Sequence, residues 1–370
     1  MSKKIPFFDY PQLFKSHEKE LSSVFKDVGK RGAFIMQKDL EEFESNISKY
    51  TGAKHAIGVA NATDGLQIGL MAGGLINQGE VLISSHTMIA SASAIHYAGG
   101  VPVPVECGKD LMIDINSAKE ALTDKTVAIM PTQLNGRTCD MDEILNFAKK
   151  HNLMIFEDAA QALGSKFKNK HAGTFGIASA ISLYPAKILG CLGDGGIILT
   201  DDSQVYEKIL LLRDHGRDSK SGEVISWGFN SRLDNIQAAF LNYFFSKYEE
   251  VVSKRRYIAS LYDEGLREID EICLPEPPNN GDHFDVFQNY EIQAKDRNNL
   301  IDFLSQKGIG TLIQWGGKAI HQFKDIGIEK DLPITDRIFS EILMLPLNLF
   351  ISEDDVKYII NNVKNYYSKN

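Results

Sequence analysis

Between residues 12 and 52 apolar side chains recur at helical spacing, at Leu13, Leu21, Val24, Phe25, Val28, Leu40, Phe43 and Ile47. The pattern predicts helices with a break near Gly32. Beyond residue 54 the period changes. Short apolar runs at 55–60, 81–85, 101–105, 126–130, 153–156, 178–184 and 196–200 alternate with helical stretches such as 65–72 and 141–151. Such alternation predicts an α/β fold with a largely parallel sheet. In open sheets of this kind ligands bind beyond the carboxyl ends of the strands. Asn61, Thr63, Asp158 and Lys187, each just after an apolar run, are therefore the polar residues to weigh.

The second half reads differently. A helical pattern through Ile236, Ala239, Phe240, Tyr243, Phe244 and Tyr248 predicts one long helix over 235–265, bridging out of a large domain. A turn-rich stretch follows at 275–281. Beyond it a run at 286–292, a helix over 298–307 and a closing helix over 353–367 predict a smaller α+β domain. At 370 residues the chain exceeds the size at which one core stops growing, so a large domain over 1–245 and a small one over 246–370 are expected. There is no internal repeat.

Composition narrows the class. With 43% hydrophobic and 24% charged residues the chain reads as an ordinary globular protein. Its 49 acidic against 40 basic residues give a net charge of −9, and the basic residues form no stripe, which argues against nucleic acid. No window is long and apolar enough to span a bilayer, and the N-terminal lysines precede no apolar run, so a cytoplasmic location is expected. Cys107, Cys139, Cys191 and Cys273 are widely spaced and form no Cys-x-x-Cys pair, so neither a disulfide framework nor a metal site is indicated.

Glu157-Asp158-Ala-Ala-Gln161 ends one apolar run, and Ser182-Leu-Tyr-Pro-Ala-Lys187 ends the next, ahead of the glycines at 190, 193, 195 and 196. A lysine and an aspartate at neighbouring strand ends are what a pyridine aldehyde cofactor requires. The amine forms an imine with the aldehyde, and the carboxylate keeps the ring nitrogen protonated so that the ring withdraws electrons. Asn61-Ala62-Thr63-Asp64-Gly65, between a strand and a helix, offers backbone N–H groups and a helix dipole to a phosphate. Each part has a plainer reading: a strand-end aspartate caps helices, a loop lysine is solvated, and a glycine-rich turn bends the chain. Their order and spacing together carry the signal.

In these stretches the chain resembles the DegT/DnrJ/EryC1/StrS family of sugar aminotransferases, of the fold-type I pyridoxal phosphate enzymes. Further matching stretches are Ser85-His-Thr-Met-Ile-Ala90, Gly136-Arg-Thr-Cys-Asp-Met141 and Gly228-Phe-Asn-Ser-Arg-Leu-Asp234. The resemblance implies a mostly parallel seven-stranded sheet between helices. It further implies pyridoxal 5'-phosphate held as an internal aldimine by Lys187, Asp158 on the pyridinium nitrogen and Gln161 near the ring hydroxyl. Ala62, Thr63 and Ser182 would hold the phosphate, with Asn230 reaching it from the other subunit of a homodimer. Met88 stands where the family usually has a stacking aromatic ring, and covers the ring face by dispersion instead. Ile313 to Phe323 stands in place of the usual His-Tyr-Pro segment, which makes Trp315, Lys318 and His321 candidates for shaping substrate recognition, with a core or interface role the alternative for Trp315.

The implied reaction moves an amino group from L-glutamate to a keto group of a nucleotide-linked deoxysugar (dTDP, UDP or GDP), for amino sugars of surface polysaccharide or glycoconjugates. For that chemistry Lys187 must be neutral, and desolvation lowers its pKa in the required direction. The rivals fare worse. A sugar dehydratase of the same family carries histidine where this chain has Lys187. A dinucleotide-binding oxidoreductase needs Gly-x-Gly-x-x-Gly opening a helix, whereas these glycines lead into a strand-like run. A regulatory role finds no DNA-binding motif or basic face.

Overall fold

The computed structural model describes residues 3–278 and 281–368. Asn279 and Asn280 of the turn-rich stretch, with residues 1, 2, 369 and 370, lie outside the described residues. Helices α1 (Tyr10–Arg31) and α2 (Lys38–Thr51) open the chain, separated where Gly32 caps α1 at φ 61°, a left-handed conformation free of Cβ strain only for glycine. There follow β1 (His55–Val59), α3 (Ala62–Ala72), β2 (Glu80–Ser84), α4 (Ile89–Tyr97), β3 (Val101–Val105), α5 (Ile115–Glu120), β4 (Thr126–Met130), α6 (Met141–His151) and β5 (Met154–Asp158). After the short strands β6 (Lys166–Phe167) and β7 (Lys170–His171) come β8 (Ala178–Ser182), β9 (Gly196–Thr200) and α7 (Ser203–Arg213).

Seven strands form one sheet in the order β1-β9-β8-β5-β4-β2-β3. It is parallel except for β9, which runs against both its neighbours. The strands are mostly apolar because both faces are covered, with the polar residues of β5, Glu157 and Asp158, at its carboxyl end. Ile198 packs with α3 residues on one face, while Ile197 and Leu199 pack with α2 and α8 (Asn235–Phe245) on the other, as the two-residue period of a strand requires.

The remaining elements are α9 (Tyr248–Leu266), β10 (Ile272–Cys273), β11 (His283–Phe284), β12 (Tyr290–Ala294), α10 (Arg297–Gln306), α11 (Pro333–Glu341), β13 (Ile342–Leu345) and α12 (Glu353–Tyr367). Strands β10, β12 and β13 form a small antiparallel sheet backed by α9, α10 and α12. Packing does not follow chain order across residue 246. Ile5 joins the C-terminal core, Ile338 and Phe339 of α11 return to the core beneath β2 and β4, and α9 contributes to two cores.

Two expectations for this half need correction. The pattern over 235–265 is two helices, with Lys247 at φ −112°, ψ 4° interrupting them. On either side of this interruption α8 lies on α2 and α9 lies on α12. The run at 286–292 is not all strand, for β12 begins only at Tyr290. Residues 286–289 instead dock on the loop at Gly136, where Val286 N–H donates to the Gly136 carbonyl at 2.8 Å and Phe287 takes φ 52°.

Candidate active site

Asp158 is the last residue of β5 and is 4% exposed. Its Oδ1 accepts from the Ala160 N–H at 3.1 Å and its Oδ2 from the Ser91 hydroxyl at 2.6 Å. Behind Ser91 stand Thr87, at 2.7 Å, and Thr132, which donates to Thr87 at 2.8 Å. A hydroxyl has one proton to give. Ser91 commits its proton to Asp158, so Thr87 must donate to Ser91, and the three hydroxyls form a one-way chain ending on the carboxylate. Burial pushes the pKa of Asp158 up; the Ser91 hydrogen bond, the Ala160 N–H and the charge of Lys187 hold it back.

Lys187 sits in the loop between β8 and β9. Tyr184-Pro185-Ala186-Lys187 is a turn, closed by the Lys187 N–H on the Tyr184 carbonyl at 2.8 Å, with proline at the position where its fixed φ favours a turn. The loop then folds back so closely that a Cβ on Gly190 would lie 2.8 Å from the Pro185 carbonyl. Burial lowers the Lys187 pKa to about 8, against the opposing pull of Asp158.

The helix α3 begins at Ala62, three residues before the helical stretch read from the sequence. Asn61 caps it by accepting from the Asp64 N–H at 2.8 Å. The N–H groups of Ala62 and Thr63 have no partner within the helix and are available to an anion. Gly196 is what brings this turn against the sheet, since a Cβ there would lie 2.5 Å from the Asn61 carbonyl carbon. Ser182, at the end of β8, accepts from the Tyr184 N–H at 3.3 Å and keeps its own proton for a ligand.

Ala62, Thr63, Met88, Asp158, Gln161, Ser182 and Lys187 all line one cavity of about 450 Å³. Trp315 also lines it, held at φ 49°, an uncommon conformation for a bulky residue. Lys318 is exposed and does not line the cavity. His321 is buried and linked to Ser85 at 2.6 Å and Asp336 at 2.9 Å, so it anchors the segment leading to Met88. Asn230 is exposed on its own chain, away from this cavity.

Gln161 has a fixed orientation. Its Oε1 accepts from the Asn135 N–H at 2.8 Å, so its NH2 group is the donor end. One of those protons goes to Gln314 at 3.2 Å and the other is free for the cavity. Gln314 and Asn135 in turn donate to buried Glu291, whose pKa burial raises to about 7.

Sequence reading missed Ser91, Thr132, Asn135, Gln288 and Gln314. Ser91, in the first turn of α4, and Thr132, two residues past β4, carried a local signal, since both lie beyond the carboxyl end of a strand of the large sheet. The others come from distant loops.

The donor set fits pyridoxal phosphate. A half-buried amine of lowered pKa and a buried carboxylate share one cavity, and a helix N-terminus with two hydroxyls, Thr63 and Ser182, lies on the same wall. Among the described residues no group of three or more His, Cys, Asp or Glu side chains is placed to hold a metal ion, and no helix is long and apolar enough to cross a membrane.

Comparison with known proteins agrees with this chemistry. The chain is 34% identical, over 98% of its length and 99% of the relative's, to dTDP-3-amino-3,6-dideoxy-alpha-D-galactopyranose transaminase of Aneurinibacillus thermoaerophilus. It is equally similar, over 98% of both chains, to a pleiotropic regulatory protein of Geobacillus stearothermophilus. Among solved structures, S. venezuelae DesV in complex with a ketimine intermediate superposes with a TM-score of 0.94 at 31% identity, over 99% of both chains. The model of the DegT/DnrJ/EryC1/StrS aminotransferase family matches residues 15–364, and this chain belongs to that family.

Proposed function

We propose that this enzyme transfers an amino group from L-glutamate to a keto group of a nucleotide-linked deoxysugar, with pyridoxal 5'-phosphate held by Lys187. The observation that carries this is the convergence of Lys187, Asp158 and the start of α3 on one cavity. The cofactor, when bound, supplies an electron sink that stabilises the carbanion left when a proton leaves the substrate.

The chain's own residues do the rest. Lys187 would hold the cofactor through its amine and, when free, would move a proton at the substrate carbon; its lowered pKa keeps a neutral fraction near neutral pH. Asp158 would hold a proton on the ring nitrogen, and the hydroxyl chain behind it favours its ionised form. Gln161 offers its free N–H to the ring hydroxyl. The Ala62 and Thr63 N–H groups and the Thr63 and Ser182 hydroxyls take the phosphate. Met88, half exposed at the cavity wall, covers the ring by dispersion.

The site is completed by a second copy of the chain, whose Asn230 reaches the phosphate. Exposed apolar residues support such a dimer: Trp227 is 96% exposed, and Val224, Ile225, Phe34 and Ile35 are also exposed. The similarity to a dTDP-3-amino-sugar transaminase favours a dTDP-linked 3-keto sugar as acceptor. The test is to incubate the pyridoxamine-loaded enzyme with dTDP-, UDP- and GDP-linked 3-keto and 4-keto sugars and to identify the aminated product by mass spectrometry. Amination of none of them would sink the assignment; amination of the 4-keto sugars alone would overturn the 3-keto preference.

A further inference from the structure

Gln288 lies in the segment that docks on Gly136, about a hundred residues beyond the Lys187 loop, and is 5% exposed. Its side-chain Oε1 accepts from the Ile188 N–H at 2.9 Å, and its Nε2 donates to the Ala186 carbonyl at 2.9 Å. One amide thus holds the peptide groups on both sides of Lys187. With those two peptide planes fixed, the Cα–Cβ direction of Lys187 is fixed as well.

The clamp is itself rigidly seated. The Gln288 carbonyl accepts from Arg255 Nη2 at 2.7 Å, while Arg255 Nε and Nη1 donate to the carbonyls of Phe287 and Leu347 at 2.9 and 2.7 Å. Arg255 is buried, and all three bonds go to backbone rather than to a carboxylate. Beneath, the loop presses on Gly136, where a Cβ would lie 2.5 Å from the Gln288 nitrogen. An arginine with three carbonyls on one side and a close-packed glycine on the other leave the Gln288 backbone little freedom.

We propose that Gln288 is a positioning residue for Lys187, setting the direction in which the amine is presented to the cofactor and to the proton it moves. The inference rests on Lys187 being the cofactor-bearing residue. Proton transfer is sensitive to placement at the scale of about 1 Å. A lysine has four rotatable side-chain bonds, so an unfixed backbone adds to a freedom the site must already restrict. Gln288 lines the cavity, but its amide oxygen and nitrogen are already bonded to backbone on either side of Lys187, so losing the clamp is expected to slow the lysine's step rather than to weaken donor binding.

The test uses full-length Gln288→Met, of similar length but without the hydrogen bonds, and Gln288→Glu, which still accepts from Ile188 but no longer donates to Ala186. Before cofactor loading, hydrogen exchange of residues 186–191 is followed by mass spectrometry. After loading, kcat and KM for the L-glutamate half-reaction are measured. Gln288→Met is expected to speed exchange in that segment and to lower kcat by about tenfold, with KM for L-glutamate changed by less than about twofold. Gln288→Glu is expected to fall between it and the native protein, and carries the test if the methionine variant does not fold. Unchanged exchange, unchanged kcat, or a raised KM at constant kcat would each overturn the proposal. Failure of the underlying assignment is read separately: borohydride reduction of the native protein would then leave no cofactor on Lys187, while the exchange measurement would still report on the clamp.

Discussion

The Ser91 hydroxyl donates to Asp158 Oδ2 at 2.6 Å, with the hydroxyls of Thr87 and Thr132 lined up behind it. A hydrogen bond to a charged group is worth about 1.5–3 kcal/mol. Ser91→Ala removes it and leaves Thr87 without its acceptor, and is expected to raise the Asp158 pKa further, because the hydrogen bond that opposes the effect of burial is gone. The ring nitrogen then loses its anionic partner at a higher pH than in the native enzyme. The check is the pH titration of the cofactor's visible absorbance, where an unchanged profile in Ser91→Ala would remove the hydroxyl chain from the mechanism.

Lys187→Met is expected to lower turnover by at least about 10²-fold while the fold persists, which far-ultraviolet circular dichroism and a turnover assay would show together. The same variant has a stability signature in the unloaded protein. The Lys187 pKa is about 8 in the fold against 10.5 for an unburdened lysine. Between those values the unfolded chain binds the extra proton, so native stability rises with pH through that window. Lys187→Met should therefore be more stable than the native apoprotein near neutral pH, with the advantage shrinking as pH climbs from about 8 to 10.5. Urea melts at several pH values would show it, and a difference that does not change with pH would contradict the lowered pKa.

Capture of the cofactor should follow the same group. Only neutral lysine attacks the aldehyde, so the rate at which apoprotein takes up pyridoxal phosphate should rise as pH passes through about 8 and level off above it. Stopped-flow absorbance would record this. A rise centred near 10.5 instead would mean that the amine is solvated like any surface lysine.

Trp227→Glu places a charge at a side chain that is 96% exposed in a single chain. If a second copy covers it, the variant should sediment as a monomer and bind the cofactor more weakly, because Asn230 no longer arrives from the partner. An unaltered sedimentation coefficient would take Trp227 out of the interface.

Met88→Phe restores an aromatic ring at the cavity wall. Ring stacking contributes about 0.5–1.5 kcal/mol beyond burial. Cofactor release from the variant is expected to slow by up to about tenfold, measured by dialysis against a carbonyl trap, and equal release rates would show that dispersion from Met88 already suffices.

Much of the large sheet was legible in the chain because its strands are buried on both faces and read as unbroken apolar runs, from Val81 to Ile83 and from Ile197 to Leu199. That Asp158 and Lys187 would lie near each other was legible for the same reason, since strand ends are local features, and the two line one cavity. The small C-terminal unit was harder. Its pattern did not mark the interruption at Lys247 or the late start of β12 at Tyr290, because both follow from docking on elements elsewhere in the chain.

The sequence by itself determined which groups could act together, since an amine, a carboxylate and a helix-opening turn with free N–H groups are each defined by a few neighbouring residues. Only the tertiary structure decided how those groups are held. Ser91 meets Asp158 across 67 positions, Gln288 reaches Ala186 across 102, and Gln314 reaches Gln161 across 153. Hydrogen bonds of that range leave no periodicity in the chain, because their partners become neighbours only once the sheet and its covering helices have packed.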